Sequence, residues 1–393
     1  MRIALLSAEY PPMQGGVGDC THELGCALME LGHGVAVVTS SRVGRTSQAR
    51  QRRSEPEVRP VVERWNWSTH RHVLRAIRDP SVEILHIQYQ TAAYAMHPAI
   101  NLLPLRLRLE RRRPRVAVTF HDLRVPYLFP KARPVRSWVT RALARWSDAA
   151  IATNVQDLRQ LQGMRLPADP QLIPIGSNIA ANPPAGYDRD AWRHRLGVNL
   201  GQTLLCYFGF LNESKGGETL FRCLGELRDR GQDVKLLMIG GQVGDSDPTN
   251  AAYLEYVQAL GRELGLTDAV LWTGYMPAEE VAASFLASDI CVLPYRDGIS
   301  YRRGTLMAAI AHGRAIVSTE PRVANPGLMN GENVLLVPPD DPRATADAVE
   351  MLMNSPDLRE RLARGALQLS RGFSWGRIAR ETAELYSNLV RAQ

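Results

Sequence analysis

The sequence predicts an α/β fold built from two doubly wound halves. Three observations predict it. The 393 residues exceed what a single hydrophobic core usually holds. Short apolar runs alternate with amphipathic segments in two successive series. A stretch dense in Pro, Gly and Asn, NIAANPPAGYDRD, separates the series. Runs such as RIALLS and VAVVTS are apolar except at their ends, as parallel strands buried on both faces tend to be. A cleft between two such halves is the expected ligand site.

In the first half, RIALLS, VAVVTS, VEILHIQ, VAVTF, AAIAT and LIPI read as strands. CTHELGCALMELG, STHRHVLRAIRD and SWVTRALARWSD carry helical spacing between them. The first helix stops at Gly32-His33-Gly34, where glycine can take the left-handed conformation that ends a helix. SRVGRTSQARQRRSEPEVRP is polar, Arg-rich and patternless, so it is expected to be a surface excursion or a partly disordered loop. The first domain runs over residues 1–178 and the second over 179–374. In the second, TLLCYFGF, VKLLMIGG, AVLWTG, ICVLPY, AIVST and NVLLVP read as strands. GETLFRCLGELRDRG, AAYLEYVQALGRELG, AEEVAASFLASD and TLMAAIAHG read as the helices between them. The chain closes with a strongly helical stretch, and by pattern its last helix, 375–393, can pack on either domain.

The net charge of +7 favours anionic partners: phosphates, nucleic acid or a lipid surface. Only Lys131, Lys215 and Lys235 among the 47 basic residues are lysine, so an arginine bias explains most Arg clusters and lysines stand out. Five cysteines, odd in number and without a C-x-x-C pair, speak against a zinc site and a disulfide framework. They read as small core residues of a reducing, cytoplasmic compartment. The opening apolar run is too short for a secretory leader, and no stretch is long and apolar enough to cross a bilayer. The expectation is a cytoplasmic protein, at most peripheral on the inner membrane face.

In open α/β sheets, ligands bind beyond the carboxyl ends of the strands. After the first strand, AEYPPMQGGVGDC places Gly15, Gly16 and Gly18 beside a helix start, where backbone amides and the helix dipole can meet a phosphate or oxyanion. The loop matches neither G-x-G-x-x-G nor a Walker A sequence, and its plain alternative is a turn that needs glycine. His121 follows VAVTF, at a strand end facing the expected cleft, where it can donate a hydrogen bond or carry a proton. Its plain alternative is a structural histidine.

In the second half, FGFLNESKGGETLF places Gly209 and Lys215 between a strand and a helix N-terminus, where a bound anion could use the ammonium and the dipole together. Gly240 in MIGG and Gly274-Tyr275 in WTGYMP sit in loops suited to close backbone contact with a flat ring or a ribose. RDGISYRRGT brings Asp297, Gly298, Ser300, Arg302 and Arg303 to a helix that begins near Thr305. Guanidinium groups match phosphate oxygens bidentately, while the plain alternative is solvated surface arginine.

Five segments in order, PPMQGGVGDCTHELGCALMELGHGVAVVT, VTFHDL, FGFLNESKGGETL, AAIAHGRAIVST and FSWGRIARETAELY, resemble the retaining glycosyltransferases of the GT-B group, family 4. The resemblance covers essentially the whole chain. It implies two Rossmann-like domains facing each other across a cleft, with a nucleotide-sugar donor on the C-terminal domain and an acceptor on the N-terminal one. It also implies no catalytic metal and a last helix that crosses back to the first domain. Gly15, Gly16 and Gly18 match the family's loop near the donor diphosphate and sugar, His121 the histidine that meets the transferred sugar, and Lys215 the diphosphate-binding lysine.

The sequence departs from that family at three positions. Phe210 stands where the family usually has arginine, and Ser300 and Ala308 stand where it usually has two glutamates. Asp297-Gly298 can replace the family's Glu-Gly, and Arg302 or Arg303 can supply the charge missing at Phe210.

The expected activity is therefore metal-independent, retaining transfer of a sugar from a UDP- or GDP-sugar to a hydroxyl acceptor, with His121, Lys215 and Asp297 in the catalytic set and no cofactor beyond the substrate. The acceptor attacks on the face where the phosphate leaves, and that phosphate takes its proton. Cationic groups on the leaving diphosphate provide most of the acceleration. The alternatives are a degenerate binding protein that retains the fold, suggested by Ser300 and Ala308, and an NAD-dependent dehydrogenase, which lacks both the glycine fingerprint and an acid after VAVVTSSR. NLLPLRLRLERRRPR reads first as an ordinary helix with leucines inward, and second as a basic face for peripheral contact with anionic lipid. A nucleic-acid partner is not expected.

Overall fold

The computed structural model describes residues 1–13, 15–44, 55–123, 133–240 and 249–392. They gather into two units, Met1–Gly176 with Ser374–Gln393, and Ser177–Phe373. The first unit contains β1 (Arg2–Ser7), α1 (Gly16–Glu30), β2 (Gly34–Ser40), β3 (Glu57–Val62), α2 (Ser68–Ala76), β4 (Ile84–Tyr89), α3 (Ala99–Leu107), β5 (Arg115–Phe120), α4 (Arg133–Trp146), β6 (Ala149–Ala152), α5 (Val155–Gln162) and β7 (Gln171–Leu172). Its strands form one parallel sheet in the order β3-β2-β1-β4-β5-β6-β7. The chain starts mid-sheet at β1, winds outward to β3, then restarts at β4 on the other side, so the order reverses between β1 and β4. Ligands favour the strand ends at such a reversal.

The second unit contains α6 (Arg189–Arg195), β8 (Thr203–Phe208), α7 (Gly217–Asp229), β9 (Val234–Ile239), α8 (Thr249–Glu263), β10 (Val270–Trp272), α9 (Ala278–Ala287), β11 (Ile290–Leu293), α10 (Gly304–Ala311), β12 (Ala315–Thr319), β13 (Leu335–Val337), α11 (Pro342–Asn354) and α12 (Pro356–Ser370). Its parallel sheet has the order β10-β9-β8-β11-β12-β13, with the reversal between β8 and β11.

The last helix, α13 (Trp375–Arg391), belongs to the first unit, where it lies on α1 and β5. Its buried stripe of Ile378, Ala379, Leu385 and Tyr386 has helical spacing and joins a core with Leu5, Val37 and Ile151. Each large apolar side chain in that stripe contributes roughly 1.5–3 kcal/mol by leaving water. The opposite face of the same sheet buries Leu6, Val38, Leu85, Ile87, Val118 and Phe120. Alternation along each strand feeds both cores, which is why these strands read as unbroken apolar runs.

Three expectations change. The stretch read as patternless holds a 3₁₀ turn at Ser41–Val43 and, in EVRPVV, the edge strand β3; residues 45–54 of it lie outside the described residues. This edge strand leaves every side chain but Val62 at least partly exposed and so lacks a buried apolar run. LIPI contributes only Leu172 to the short edge strand Gln171–Leu172, with Ile173 N donating to Ala152 O just past its end. The helix in NLLPLRLRLERRRPR ends at Leu107, so Arg111–Arg113 lie in the loop before β5. Its leucines divide, with Leu103 and Leu107 buried and Leu105 and Leu109 exposed. Among the described residues no helix is long and apolar enough to cross a membrane.

Candidate functional site

The predicted residues fall into two groups, one in each unit. In the second unit the loop after β8 begins at Gly209, with φ of +94°. A Cβ there would sit 2.7 Å from the Thr305 methyl and 3.7 Å from Lys215 Nζ, so glycine lets three predicted residues share one spot. Lys215 closes a 3₁₀ turn, Glu213–Lys215, just before α7, and its Nζ donates to the carbonyl oxygen of Phe210 at 2.6 Å. Burial, and then the nearby Arg303, lower the Lys215 ammonium to about 7.

The loop after β11 carries the two arginines. Arg302 and Arg303 each contact one oxygen of the Asp297 carboxylate, Arg303 Nη2 at 2.5 Å from Oδ1 and Arg302 Nη2 on Oδ2. All three side chains are 12% exposed or less, which excludes the solvated-surface reading of these arginines. Arg303 also reaches Ser214 Oγ at 3.3 Å, and its guanidinium lies 5.0 Å from the centroid of the Tyr295 ring. The Tyr295 hydroxyl is 2.5 Å from Thr305 Oγ1 in the first turn of α10. Gly298, with φ of +83°, and the Ser300 carbonyl, which accepts from Arg303 N at 3.1 Å, shape the turn. Asp297, expected in the catalytic set, here has both carboxylate oxygens on guanidinium groups.

Arg303 thus shares its carboxylate with Arg302, and Lys215 meets no carboxylate among the described residues. Removing such cations from water costs several kcal/mol unless an anion completes the site. The N-termini of α7 and α10 lie in the same loops and add to the positive potential. Gly240 and Gly274 form an isolated antiparallel bridge beyond β9 and β10, and Gly240 N donates to Thr273 Oγ1 at 3.0 Å. Tyr275 beside them is 75% exposed, so its ring is free to cover a ligand.

In the first unit, Gly15 caps α1 in extended conformation and Gly16 opens the helix. A Cβ at Gly18 would come within 2.9 Å of the Glu9 and Tyr10 backbone, and one at Gly15 would lie 2.1 Å from Glu9 Oε2. The glycine loop is therefore cut to seat a carboxyl group, which the sequence reading missed. The available signal was an acid two residues past a strand end, just before the glycines. Glu9 is half-buried, no donor reaches its carboxylate among the described residues, and burial followed by the charge of Asp19 raises it to about 7.

His121 lies one residue past β5, with Nε2 2.8 Å from Gln88 Oε1. Burial lowers its imidazole to about 4, so it is neutral at physiological pH and acts as a fixed hydrogen-bonding group.

Two family models match the chain: "Glycosyl transferase 4-like domain" over residues 15–176 and "Glycosyl transferases group 1" over residues 202–355. Among curated relatives, the D-inositol 3-phosphate glycosyltransferase of Corynebacterium efficiens is 31% identical over 234 residues, 58% of this chain and 53% of that protein. The protein of the same name from Nocardioides sp. is 28% identical over 252 residues, 61% of this chain and 53% of its own length. The chain spans about half the length of these relatives.

Among solved structures, sucrose-phosphate synthase from Thermosynechococcus elongatus superposes with a TM-score of 0.77 at 23% identity over all of both chains. Anabaena HepE, solved in complex with UDP-glucose, superposes with a TM-score of 0.78 at 16% identity over 99% of this chain and 100% of that one. These likenesses show the fold.

Proposed function

The chain belongs to the group 1 glycosyltransferases, and from that premise we propose that it transfers a sugar, with retention and without a metal ion, from a nucleoside-diphosphate sugar to a hydroxyl acceptor. One observation carries the proposal: Lys215, Arg302 and Arg303 converge beside two helix N-termini at the switch point of the second sheet, with Asp297 as the carboxylate that both guanidiniums share. Cleaving the bond between the anomeric carbon and the diphosphate leaves negative charge on phosphate. The guanidinium groups held by Asp297 stabilise that charge with little reorganisation, and Lys215 adds its ammonium.

Arg303 is the primary phosphate ligand. Its Nε has no partner among the described residues, and Asp297 holds the fork in place. Lys215 moves its ammonium from the Phe210 carbonyl to a phosphate oxygen. In the first unit an ionised Glu9 opposes a phosphate at the glycine loop, so we assign that loop to sugar hydroxyls. Neutral His121 accepts from one of them through Nδ1. The leaving phosphate takes the acceptor's proton, and retention rests on the motifs the chain shares with the retaining family.

A thermal-shift screen against UDP, GDP and ADP and their sugars tests the reading. A ligand at a hundred times its Kd adds about 2.7 kcal/mol and raises the midpoint accordingly. UDP-sugars come first, because a protein of similar fold was solved with UDP-glucose. Transfer assays then pair the stabilising donor with candidate acceptors, a phosphorylated inositol among them because the curated relatives carry that word in their name. Stabilisation by no nucleotide at millimolar concentration would overturn the proposal.

A further inference from the structure

Four polar side chains lie on one face of the first sheet, in strands whose other residues are mostly apolar. His86 and Gln88 alternate along β4, and Thr119 and His121 alternate along β5 and past its end, with Gln88 opposite Thr119 in the register. His86, Gln88 and Thr119 are buried, His121 is partly buried, and Tyr386 of α13 packs against His86. They form a connected chain. The Tyr386 hydroxyl lies 2.5 Å from His86 Nδ1, and His86 Nε2 lies 2.7 Å from Thr119 Oγ1. Gln88 Nε2 is 3.3 Å from both His86 nitrogens, and Gln88 Oε1 is 2.8 Å from His121 Nε2.

Burying polar groups between β-strands costs free energy unless every one is satisfied, and apolar residues would do the same packing at no such cost. This chain ends at His121, on the sheet edge where the site lies. Resting on the glycosyltransferase reading above, we propose that Gln88 is the positioning residue that holds His121 in its Nε2–H tautomer and leaves Nδ1 as the acceptor for a substrate hydroxyl.

The direction of each bond follows from neighbouring groups. Both His86 nitrogens already have hydroxyl partners, and one of them is a bare acceptor in the neutral ring. Lying 3.3 Å from both ring nitrogens, the end of the Gln88 side chain sits over the π face of His86, which attracts an N–H edge and repels a carbonyl oxygen, so the NH₂ faces His86 and the oxygen faces His121. That oxygen can only accept, and His121 Nε2 must carry the hydrogen. The frame around it is rigid. The Tyr94 hydroxyl lies 3.0 Å from the carbonyl oxygens of both Leu6 and Gln88, and His121 N donates to Tyr89 O at 2.9 Å. Nδ1 of His121 has no partner among the described residues.

The test uses the full-length protein with Gln88→Met and Gln88→Glu, read by histidine side-chain ¹⁵N NMR across pH and by steady-state transfer. In the parent, His121 gives the Nε2–H signature. In Gln88→Met that signature becomes mixed or reversed, and kcat falls roughly ten- to hundredfold while the donor KM stays within about twofold. In the nearly isosteric Gln88→Glu, the new carboxylate faces the ring and raises the His121 titration midpoint by at least about one unit. An acidic limb then moves upward in the pH–rate profile.

An unchanged tautomer with an unchanged midpoint overturns the assignment, as does a kcat loss that merely tracks lost thermal stability. If Gln88→Met does not fold, Gln88→Glu decides by its midpoint alone. The spectra need no turnover, so a parent without transferase activity would overturn the functional reading while the NMR still decides on Gln88.

Discussion

Arg303 donates from Nη2 to Asp297 Oδ1 at 2.5 Å, and the same carboxylate holds Arg302 on its other oxygen. Asp297 is therefore the counter-ion that makes two recessed guanidinium groups tolerable. Asp297→Asn removes the negative charge that the two guanidinium groups share, which costs about 3–5 kcal/mol of stability. Urea unfolding of the variant should show this loss, with saturating nucleoside diphosphate restoring part of it. A variant that unfolds like the parent but has lost turnover would instead make Asp297 a participant in the chemistry.

Lys215 makes nucleotide binding depend on pH. Its ammonium, lowered to about 7 in the free protein, is mostly neutral at pH 8 and charged at pH 6. A phosphate arriving beside it favours the charged form and raises it again. Binding at pH 8 should thus take up as much as about one proton, and binding at pH 6 almost none. Calorimetric titrations in buffers of different ionisation enthalpy measure the uptake directly. Lys215→Met should abolish it and weaken binding, and equal uptake at both pH values would remove Lys215 from the phosphate site.

Much of this was legible in the sequence because the parallel strands bury both faces and so read as apolar runs. β3 was missed because the edge strand EVRPVV keeps all its side chains but Val62 at least partly exposed. The arginine pair could be placed at a strand end from its spacing, but its pairing with Asp297 depends on a turn closed by Gly298 that no periodicity reports. His86 and Gln88 lie in VEILHIQ, which reads from the sequence only as a strand. Their partner Tyr386 lies 300 residues away in sequence, and only the return of α13 to the first sheet brings them together. Glu9 escaped because the glycines drew the reading toward an anion, whereas the room they make is filled by a carboxyl group.

Gly216 tests the loop that carries Lys215. It adopts φ of +72°, and a Cβ there would lie 1.8 Å from the Pro294 carbonyl oxygen, a backbone atom that cannot swing aside. Gly216→Ala must move the loop after β8 away from the residues following β11, at a cost of roughly 2 kcal/mol or more. Thermal denaturation should show the loss, and nucleotide affinity should fall more than in Gly231→Ala. Gly231 also has positive φ, +78°, but open space around it, so that variant carries only the backbone strain. Equal losses in the two variants would mean that the Gly216–Pro294 approach contributes nothing.

Glu9 predicts a stability that changes with pH in a particular direction. Its folded-state value, about 7, lies above the ordinary carboxylate value, so folding tightens its hold on a proton. Below the unfolded value both states are protonated and Glu9 has no effect. As pH rises through the folded value the buried carboxyl must ionise, and stability is lost. The loss is complete above about pH 7 and, discounted for the partial exposure of the carboxyl, amounts to roughly 1–2 kcal/mol. Glu9→Gln keeps the shape seated against Gly15 and removes the ionisation. It should match the parent at pH 4.5 and exceed it at pH 8.5 by that amount in urea unfolding. Because Glu9 also faces the loop assigned to sugar hydroxyls, the more stable variant should bind acceptor or sugar less well, with nucleoside diphosphate affinity unchanged. Higher diphosphate affinity in Glu9→Gln would instead show that the glycine loop meets phosphate, with the Glu9 carboxylate repelling it.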